Sequence, residues 1–569
     1  MSIETIDQAI ADIHSVSRFL EQCSLDLYSR RNALLPVNRL PRELLAYIFD
    51  QCSPTAYYLA AGEGQDESEN FDYPQTIFAF SQVCKHWRDT ALDTPSLWTT
   101  PIFDWPSCAA ISRTMLGRAR GCPIYITAGL GAVPNVRTVT KTIQAESSRV
   151  LDLVLSGSPS NMKTVMRAFE GRSAPLLEDM CLSVKVSDED PDEDHILRLN
   201  GQAFSAAPRL NHIELYNCMI SAPSPLYQHL TSLYMSASGV DVGLDFRELT
   251  QIVRSAPRLE ELTLYEVYQY TGQAEEPSKD PVVLPHMRSL VLDDATTFMV
   301  SMLQQLKMPA TATVSLTSSW EDWPTVRLLE DLFRHLSGHY NQGKPWTHLR
   351  LVSHPRGFMD IEAFADELRP DLNFEFEDTQ MYLKMQLGGD TDPHRARFPD
   401  LWNIISTDSV LPLHSLVSLS LTQYHQHNIT ESSLRALFGR MPSLTEVLVK
   451  QAFAAPIVKV LSIIECGQAV CAPLLKNLTL NNIRLMDPSR EPIPGDEESL
   501  LLYFVDPRDI SRMLQARTAA DRGIRTLSLC NCRRHSDIYA GARELESYVA
   551  HYVHGNETQV RVSFDMSNI

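Results

Sequence analysis

Long apolar stretches are missing from this chain. No uninterrupted run of about 18 apolar residues occurs, so no membrane-spanning helix and no membrane partner are expected. The first residues, MSIETIDQAIADIHS, hold neither a basic start nor an apolar core, and no secretory signal is expected. Positive charge is in short supply: Lys and Arg number 50 against 70 Asp and Glu, a net charge of −20. Such a chain repels phosphate backbones, so general nucleic-acid binding is not among the expected functions. Cysteine is sparse, odd in number and scattered, at 11 in 569 residues. Free thiols in a reducing compartment, the cytoplasm or the nucleus, follow from that. The N-x-T sequons at Asn428, Asn477 and Asn556 carry no meaning without a secretory route.

Signatures of catalysis are absent too. No G-x-S-x-G nucleophile elbow occurs. GLGAVPN (129–135) has no third glycine and no Lys-Ser/Thr, so it is no phosphate loop. Cys530 and Cys532 have no second pair at zinc spacing. The acidic run Asp188 to Asp194, followed by His195, lacks the spaced ligands and turn glycine of a calcium loop and reads as a solvated loop. His425 and His427 fall in a loop after a strand. The expectation is therefore no enzyme, no metal and no cofactor.

What is present begins with size. A chain of 569 residues, 44% apolar, is too long for one ordinary core; it holds several domains or one extended repeat array. Residues 3–35 read as one amphipathic helix. Ile6, Ile10, Ile13, Leu20 and Leu27 recur at three-, four- and seven-residue steps, and Pro36 ends the pattern. The stripe either pairs as a short coiled coil or packs on the next domain. Residues 1–35 are thus one element and 36–103 a compact helical module, interrupted at 61–70 by the polar AGEGQDESEN.

From 104 to 569 one pattern returns: L-x-x-L-x-L, usually after a proline. Clear copies are APRLNHIELYNC (207–218), APRLEELTLYEV (256–267) and MPSLTEVLVKQA (441–452). First positions fall at 150, 177, 210, 230, 259, 287, 346, 416, 444, 475 and 524. Many steps lie near the 20–29 residues of leucine-rich repeats, while 346 to 416 is long and hides insertions or degenerate copies. Alternate leucines point inward, as a strand requires. Segments such as FRELTQIVRSAP and LRALFGRMP read as helices closed before a proline. The expected fold class is α/β: an N-terminal helical module, then an irregular leucine-rich-repeat solenoid with a parallel sheet inside and helices outside.

The segments LPRELLAYIF (40–49) and SQVCKHWRDTALDTPSLW (81–98) carry the strongest signal. Leu40, Leu44 and Ile48 share a helix face, with Leu45 and Phe49 beside it; Val83, Cys84, Trp87 and Ala91 make a second stripe. So small a module with so much apolar surface either closes on itself or presents a face to a partner. The L-P-x-E-L-L-x-x-I-F opening, then V-C-K-x-W-R, then L-W after a proline, closely resembles the F-box, and the whole arrangement resembles a group of fungal F-box proteins. That resemblance implies docking onto a Skp-type adaptor, and through it a cullin, by Leu40, Pro41, Leu44, Leu45, Ile48, Phe49, Val83, Cys84, Trp87, Leu97 and Trp98. The gap from Phe49 to Val83 is longer than a compact F-box needs, which leaves its second helix undefined. The repeats would then choose a protein substrate for ubiquitination; the alternative is a non-degradative interaction scaffold.

Strand alternation nominates the substrate face. His212, Glu214 and Tyr216 lie between inward residues, as do Ser232, Tyr234 and Ser236, then Glu261, Thr263 and Tyr265, then Ser289, Val291 and Asp293. Glu214, Tyr216, Tyr234, Tyr265 and Asp293 are the candidate binding residues, tyrosine flanked by acid being a common interface anchor and also an ordinary strand former.

Overall fold

The structure is a computed structural model that describes residues 3–52, 73–103, 108–131, 133–185, 196–201, 204–237, 243–268, 280–318, 326–340, 345–353, 359–364, 381–387, 405, 411–423, 430–451, 454–465, 468–469, 471–481, 483–485, 504–530 and 559–563. The 61–70 insertion, the acidic run with His195, the pair His425 and His427, and Cys532 lie outside the described residues. The described chain falls into two compact units, Met1–Leu230 and Thr231–Ile569.

The first unit opens with helix α1, Ile3–Ala33, in which no residue is buried. It ends before Pro36, which instead opens a 3-10 turn, Pro36–Arg39. Proline suits that place because a first-turn residue needs no N–H partner. Of the two expectations for this helix, packing on the neighbouring module is not what the unit shows. Three helices follow: α2 (Arg42–Gln51), α3 (Tyr73–Val83) and α4 (Lys85–Asp93), then a 3-10 turn, Pro95–Trp98. The second stripe was expected on one helix; it is broken at Cys84, whose backbone is extended. Arg88 Nε takes up the Ser81 carbonyl at 2.8 Å, so the break leaves that acceptor satisfied. The break also lets Phe80 and Trp87 both reach Phe49, at ring distances of 4.4 and 5.0 Å.

After α5 (Cys108–Arg118) come strands β1 (Ile124–Gly129), β2 (Val150–Gly157), β3 (Asp179–Val184) and β4 (His212–Tyr216), paired in that order and all parallel. Helices α6 (Val133–Glu146) and α7 (Pro159–Met166) connect the first three. The helical module joins this sheet through Tyr125 N to Thr99 O at 3.0 Å and through the Arg118 guanidinium, 4.4 Å above the Trp98 ring.

In the second unit β5 (Ser232–Ser236), β6 (Glu261–Tyr265), β7 (Ser289–Asp294) and β8 (Thr313–Ser318) run parallel in chain order. Then the order changes. β9 (His348–Ser353) is not the neighbour of β8; the chain folds back through β10 (Met359–Phe364) and β11 (Met381–Leu387), and β11 pairs with β8. β10 runs antiparallel to both its neighbours. The sheet is otherwise parallel, as expected, and β10 is its antiparallel strand among the described residues. This fold-back fills the 70-residue step from 346 to 416. Its register is held by Arg350 and Glu362, directly opposed and paired at 2.9 Å with Glu362 buried. Beyond β9 the parallel order resumes through β12 (Ser418–Gln423), β13 (Glu446–Gln451), β14 (Asn477–Asn481), β15 (Thr526–Cys530) and β16 (Gln559–Ser563).

Every residue at a repeat's first position is buried, from Val150 to Ile524, and a strand begins within two residues of each. β8 belongs to a copy that the leucine pattern misses, because its first position is Ala312, fully buried despite its size. The connecting layer is less regular than expected. Helices α8 (Phe246–Arg254), α9 (Thr296–Gln305), α10 (Val326–Tyr340), α11 (Glu431–Gly439), α12 (Ala454–Leu461) and α13 (Pro507–Ala519) serve the second unit. Between β3 and β4, however, the described residues form only short strands, Leu197–Leu199 and Phe204–Ala206. α8 starts on a reciprocal cap: Asp245 accepts from Glu248 N at 2.7 Å, and Glu248 accepts from Asp245 N at 3.4 Å. Both α8 and α11 end before the proline of their Ala-Pro or Met-Pro pair, which sits in the turn leading to the next strand.

Four arginines near helix ends tie their repeats to loop carbonyls elsewhere in the stack. Arg149 donates to Cys122 O at 2.9 Å and Leu116 O at 3.3 Å. Arg254 reaches Asp280 O at 2.9 Å, and Arg440 reaches Ile405 O at 2.6 Å and Leu411 O at 2.7 Å. Arg517, fully buried, donates to Cys471 O at 3.0 Å, Ala472 O at 2.7 Å and Arg522 O at 3.3 Å. Loop carbonyls that stacking would otherwise leave dry are satisfied this way.

Candidate interaction surfaces

The helical module sorts its apolar residues into two sets. Leu45 and Phe49 on α2 are buried, as are Ala91, Leu97 and Trp98. Their interior is closed by rings: Phe49 stacks on Phe80, and Phe78 meets the Trp98 ring edge-on at 6.1 Å. Trp98 Nε1 donates to Ala91 O at 2.8 Å, which binds the 3-10 turn to α4. Leu45, Phe49, Leu97 and Trp98 therefore hold the module together and present no surface.

The other set faces outward. Successive helical residues sit about 100° apart, so Leu44 and Ile48 lie beside Leu45 and Phe49 yet point away from the interior, 51% and 41% exposed. Tyr47 at 62% and Val83 at 56% join them. Pro41 is exposed just ahead of α2, its carbonyl accepting from Leu44 N and Leu45 N at 3.1 Å. Leu40 and Cys84 are half-buried. So is Trp87, whose Nε1 donates to Asn38 Oδ1 at 2.6 Å while its ring lies against Phe49. Tyr47 and Asn38 were not among the nominated residues; Tyr47 could have been found by extending the Leu44–Ile48 face by one position.

The F-box-like family matches residues 37–104. Residues 37–104 are an F-box-like domain. Its second helix, undefined by motif spacing, is α3, and the match takes in all three helices and the turn that ends in Trp98. No curated protein matches the chain. Among solved structures, the leucine-rich repeat-containing protein LegL7 from Legionella pneumophila is similar at 14% identity, over 70% of this chain and 98% of that one, with a TM-score of 0.25. The repeat architecture rests on the strand order and the buried leucine positions described above.

Beyond the F-box-like domain, the outward residues of the strands fall into aligned rows. In the first unit Tyr125, Asp152, Asp179 and His212 oppose one another across β1 to β4. A second row holds Thr127, Val154, Cys181 and Glu214, and a third ends in Ser183 and Tyr216. Glu214 is the hub: it bonds His212 Nε2 at 2.9 Å and accepts from Tyr216 Oη at 3.3 Å. The bond to His212 holds the Glu214 carboxyl below its usual range against the opposing effect of burial. Burial, then the neighbouring Asp179, pushes Asp152 up to about 7. Burial also raises Asp179, with His212 opposing and Glu178 and Glu214 adding to the rise. Asp152, Asp179 and His212 share this face with the nominated Glu214 and Tyr216; the same alternation, applied to the looser copies at 150 and 177, reaches the two aspartates. No group of three or more His, Cys, Asp or Glu among the described residues is arranged to hold a metal ion.

In the second unit Ser232, Glu261, Ser289 and Thr313 form one row, and Tyr234, Thr263, Val291 and Ser315 the next. Ser236, Tyr265 and Asp293 begin the third. Tyr265 is 37% exposed and Tyr234 half-buried, whereas Leu233, Leu262, Leu264, Leu290 and Leu292 are buried. The strand register therefore places the nominated side chains on the outward face. Burial, with help from Glu266, raises Asp293 to about 6. None of the helices among the described residues is long and apolar enough to cross a membrane.

Proposed function

We propose that this protein is the substrate-recognition subunit of a Skp-cullin-F-box type ubiquitin ligase. The observation that carries the reading is the division of apolar residues in the F-box-like domain. Its interior is closed by Leu45, Phe49, Leu97 and Trp98, and yet Leu44, Tyr47, Ile48 and Val83 remain in water. An apolar face that the fold itself does not use fits a partner surface, and F-box domains generally bind Skp1-type adaptors. The repeats supply rows of outward polar and tyrosine side chains on rigid strands, a surface suited to a protein target. In this reading the chain has no catalytic part, needs no cofactor and works in the cytoplasm or nucleus. It raises the local concentration of substrate lysines beside a charged conjugating enzyme.

The test is co-purification of the tagged full chain, probed for the adaptor and a cullin, against Leu44→Ala with Ile48→Ala. Both side chains are exposed, so the double variant keeps its fold, and it is expected to lose adaptor and cullin together. Retention of the adaptor by the folded double variant would sink the docking assignment. Adaptor without cullin, and no ubiquitinated partner, would instead favour the scaffold reading.

A further inference from the structure

α1 is 31 residues long and buries none of them. Most helical stability in proteins comes from packing an amphipathic face, yet this helix exposes Ile3, Ile6, Ile10, Ile13, Leu20 and Leu27, each by 45% or more. These six fall on the alternating three- and four-residue steps of a coiled-coil seam. The seam continues through Ser17, Ser24 and Arg31, so it is apolar at its start and more polar toward its end.

Charge is divided along the same axis. Glu4, Asp7 and Asp12 occupy the first half, which has no Lys or Arg; Arg18, Arg30 and Arg31 lie in the second beside Glu21 and Asp26, and the last turn holds only the two arginines. We propose that α1 is a dimerisation element whose partner is α1 of a second copy of this chain, paired antiparallel. A parallel pair would set Arg30 and Arg31 against their own counterparts and stack Ser17 on Ser17 and Ser24 on Ser24. The antiparallel pair brings the acidic end, with Glu4 and Asp7, to the end of the second copy that holds Arg30 and Arg31, and it sets Arg31 against Ile6 rather than against itself. It also seats Ile10 on Leu27, Ile13 beside Ser24 and Leu20 beside Ser17, so no layer of the seam is polar on both sides. Opposite-sign ends and like-sign repulsion select orientation in such pairs.

The surface available is adequate. A large aliphatic side chain offers roughly 60–120 Å² of apolar area, so six from each copy cover about 700–1,400 Å², reaching the ~1,000 Å² that a stable interface needs. The helix is about 46 Å long, and an antiparallel pair would hold the two copies' F-box-like domains at opposite ends of it. The proposal does not rest on ubiquitin-ligase function.

The experiment is sedimentation equilibrium of the purified full chain from about 0.1 to 50 μM. A reversible monomer–dimer equilibrium is expected. Ile10→Asp with Ile13→Asp should give a monomer with an unchanged melting temperature, since neither side chain is buried. Arg30→Glu with Arg31→Glu should weaken the dimer about tenfold or more. Adding Glu4→Arg and Asp7→Arg to that same chain should restore it to within a few-fold of the parent. A parent that stays monomeric across the range, or a dimer indifferent to the aspartates at 10 and 13, overturns the proposal. A dimer weakened by the arginine reversal but not rescued by the second pair overturns the antiparallel order.

Discussion

Replacing Arg517 by Met keeps most of the stem and removes the guanidinium. Four carbonyls then lose a charged donor: Cys471 O, Ala472 O, Arg522 O and, at 3.5 Å, Leu461 O. Leu461, Cys471 and Ala472 are buried, so three acceptors are stranded where water does not easily reach. A stranded acceptor costs about 1–3 kcal/mol, or roughly 3–9 kcal/mol for the three. Against this stands relief of a desolvated cation; burial holds the Arg517 guanidinium down to about 10, which corresponds to roughly 3 kcal/mol. The balance is a net loss of up to about 6 kcal/mol, near 3 kcal/mol at its midpoint. Because repeats are coupled mainly to their neighbours, the loss should be local. Amide hydrogen exchange should speed up across β13, β14 and β15 and the end of α12, while β1 to β4 keep their protection. Arg517→Lys should fall between the two, since one ammonium cannot span carbonyls that a planar fork reaches together. Unchanged exchange in those strands for the Met variant would refute the assignment of Arg517 as a tie between repeats.

Other outcomes are equally direct. Leu45→Ala should destabilise the F-box-like domain by about 2–5 kcal/mol, whereas Leu44→Ala should shift its unfolding by less than about 1 kcal/mol, read by chemical denaturation. Tyr234→Ala with Tyr265→Ala should nearly keep the melting temperature but lose substrate partners by mass spectrometry; Leu262→Ala, inward on the same strand as Tyr265, should lose about 2–5 kcal/mol. If the tyrosine variant melts as early as Leu262→Ala, the outward assignment is wrong. Asp152, raised to about 7 in the fold from an ordinary value near 4, binds its proton more readily folded than unfolded. Its contribution is therefore fully present below about pH 4 and is lost as pH rises through about 7. Asp152→Asn should raise stability at pH 8 by roughly 1–3 kcal/mol and flatten the slope between pH 4 and 7, which denaturation curves at several pH values would reveal.

Much of this protein was legible in one dimension. The L-x-x-L-x-L copies placed a buried residue and a following strand at each of eleven positions, because strand alternation and leucine burial are local rules that need no knowledge of neighbours. The F-box-like segment was legible for a similar reason: the spacing of Leu44, Leu45, Ile48 and Phe49 puts all four on adjoining helix faces, although Leu40, expected on the same face, lies ahead of the helix in extended backbone. Which face turns inward was not in that spacing. Phe80 and Trp87, on the far side of the gap, lay their rings against Phe49; Leu45 is buried as well, and Leu44 and Ile48 are left in water. The copy at Ala312 was hidden because a small residue can fill a first position when the surrounding repeats close over it. The fold-back through β10 escaped because parallel and antiparallel strands share one period; only the tertiary pairing, in which Arg350 meets Glu362 across two strands, tells them apart. The arginine ties escaped for a related reason. A carbonyl that lacks a partner is a property of stacked repeats, and no residue type in the sequence marks where one will be left.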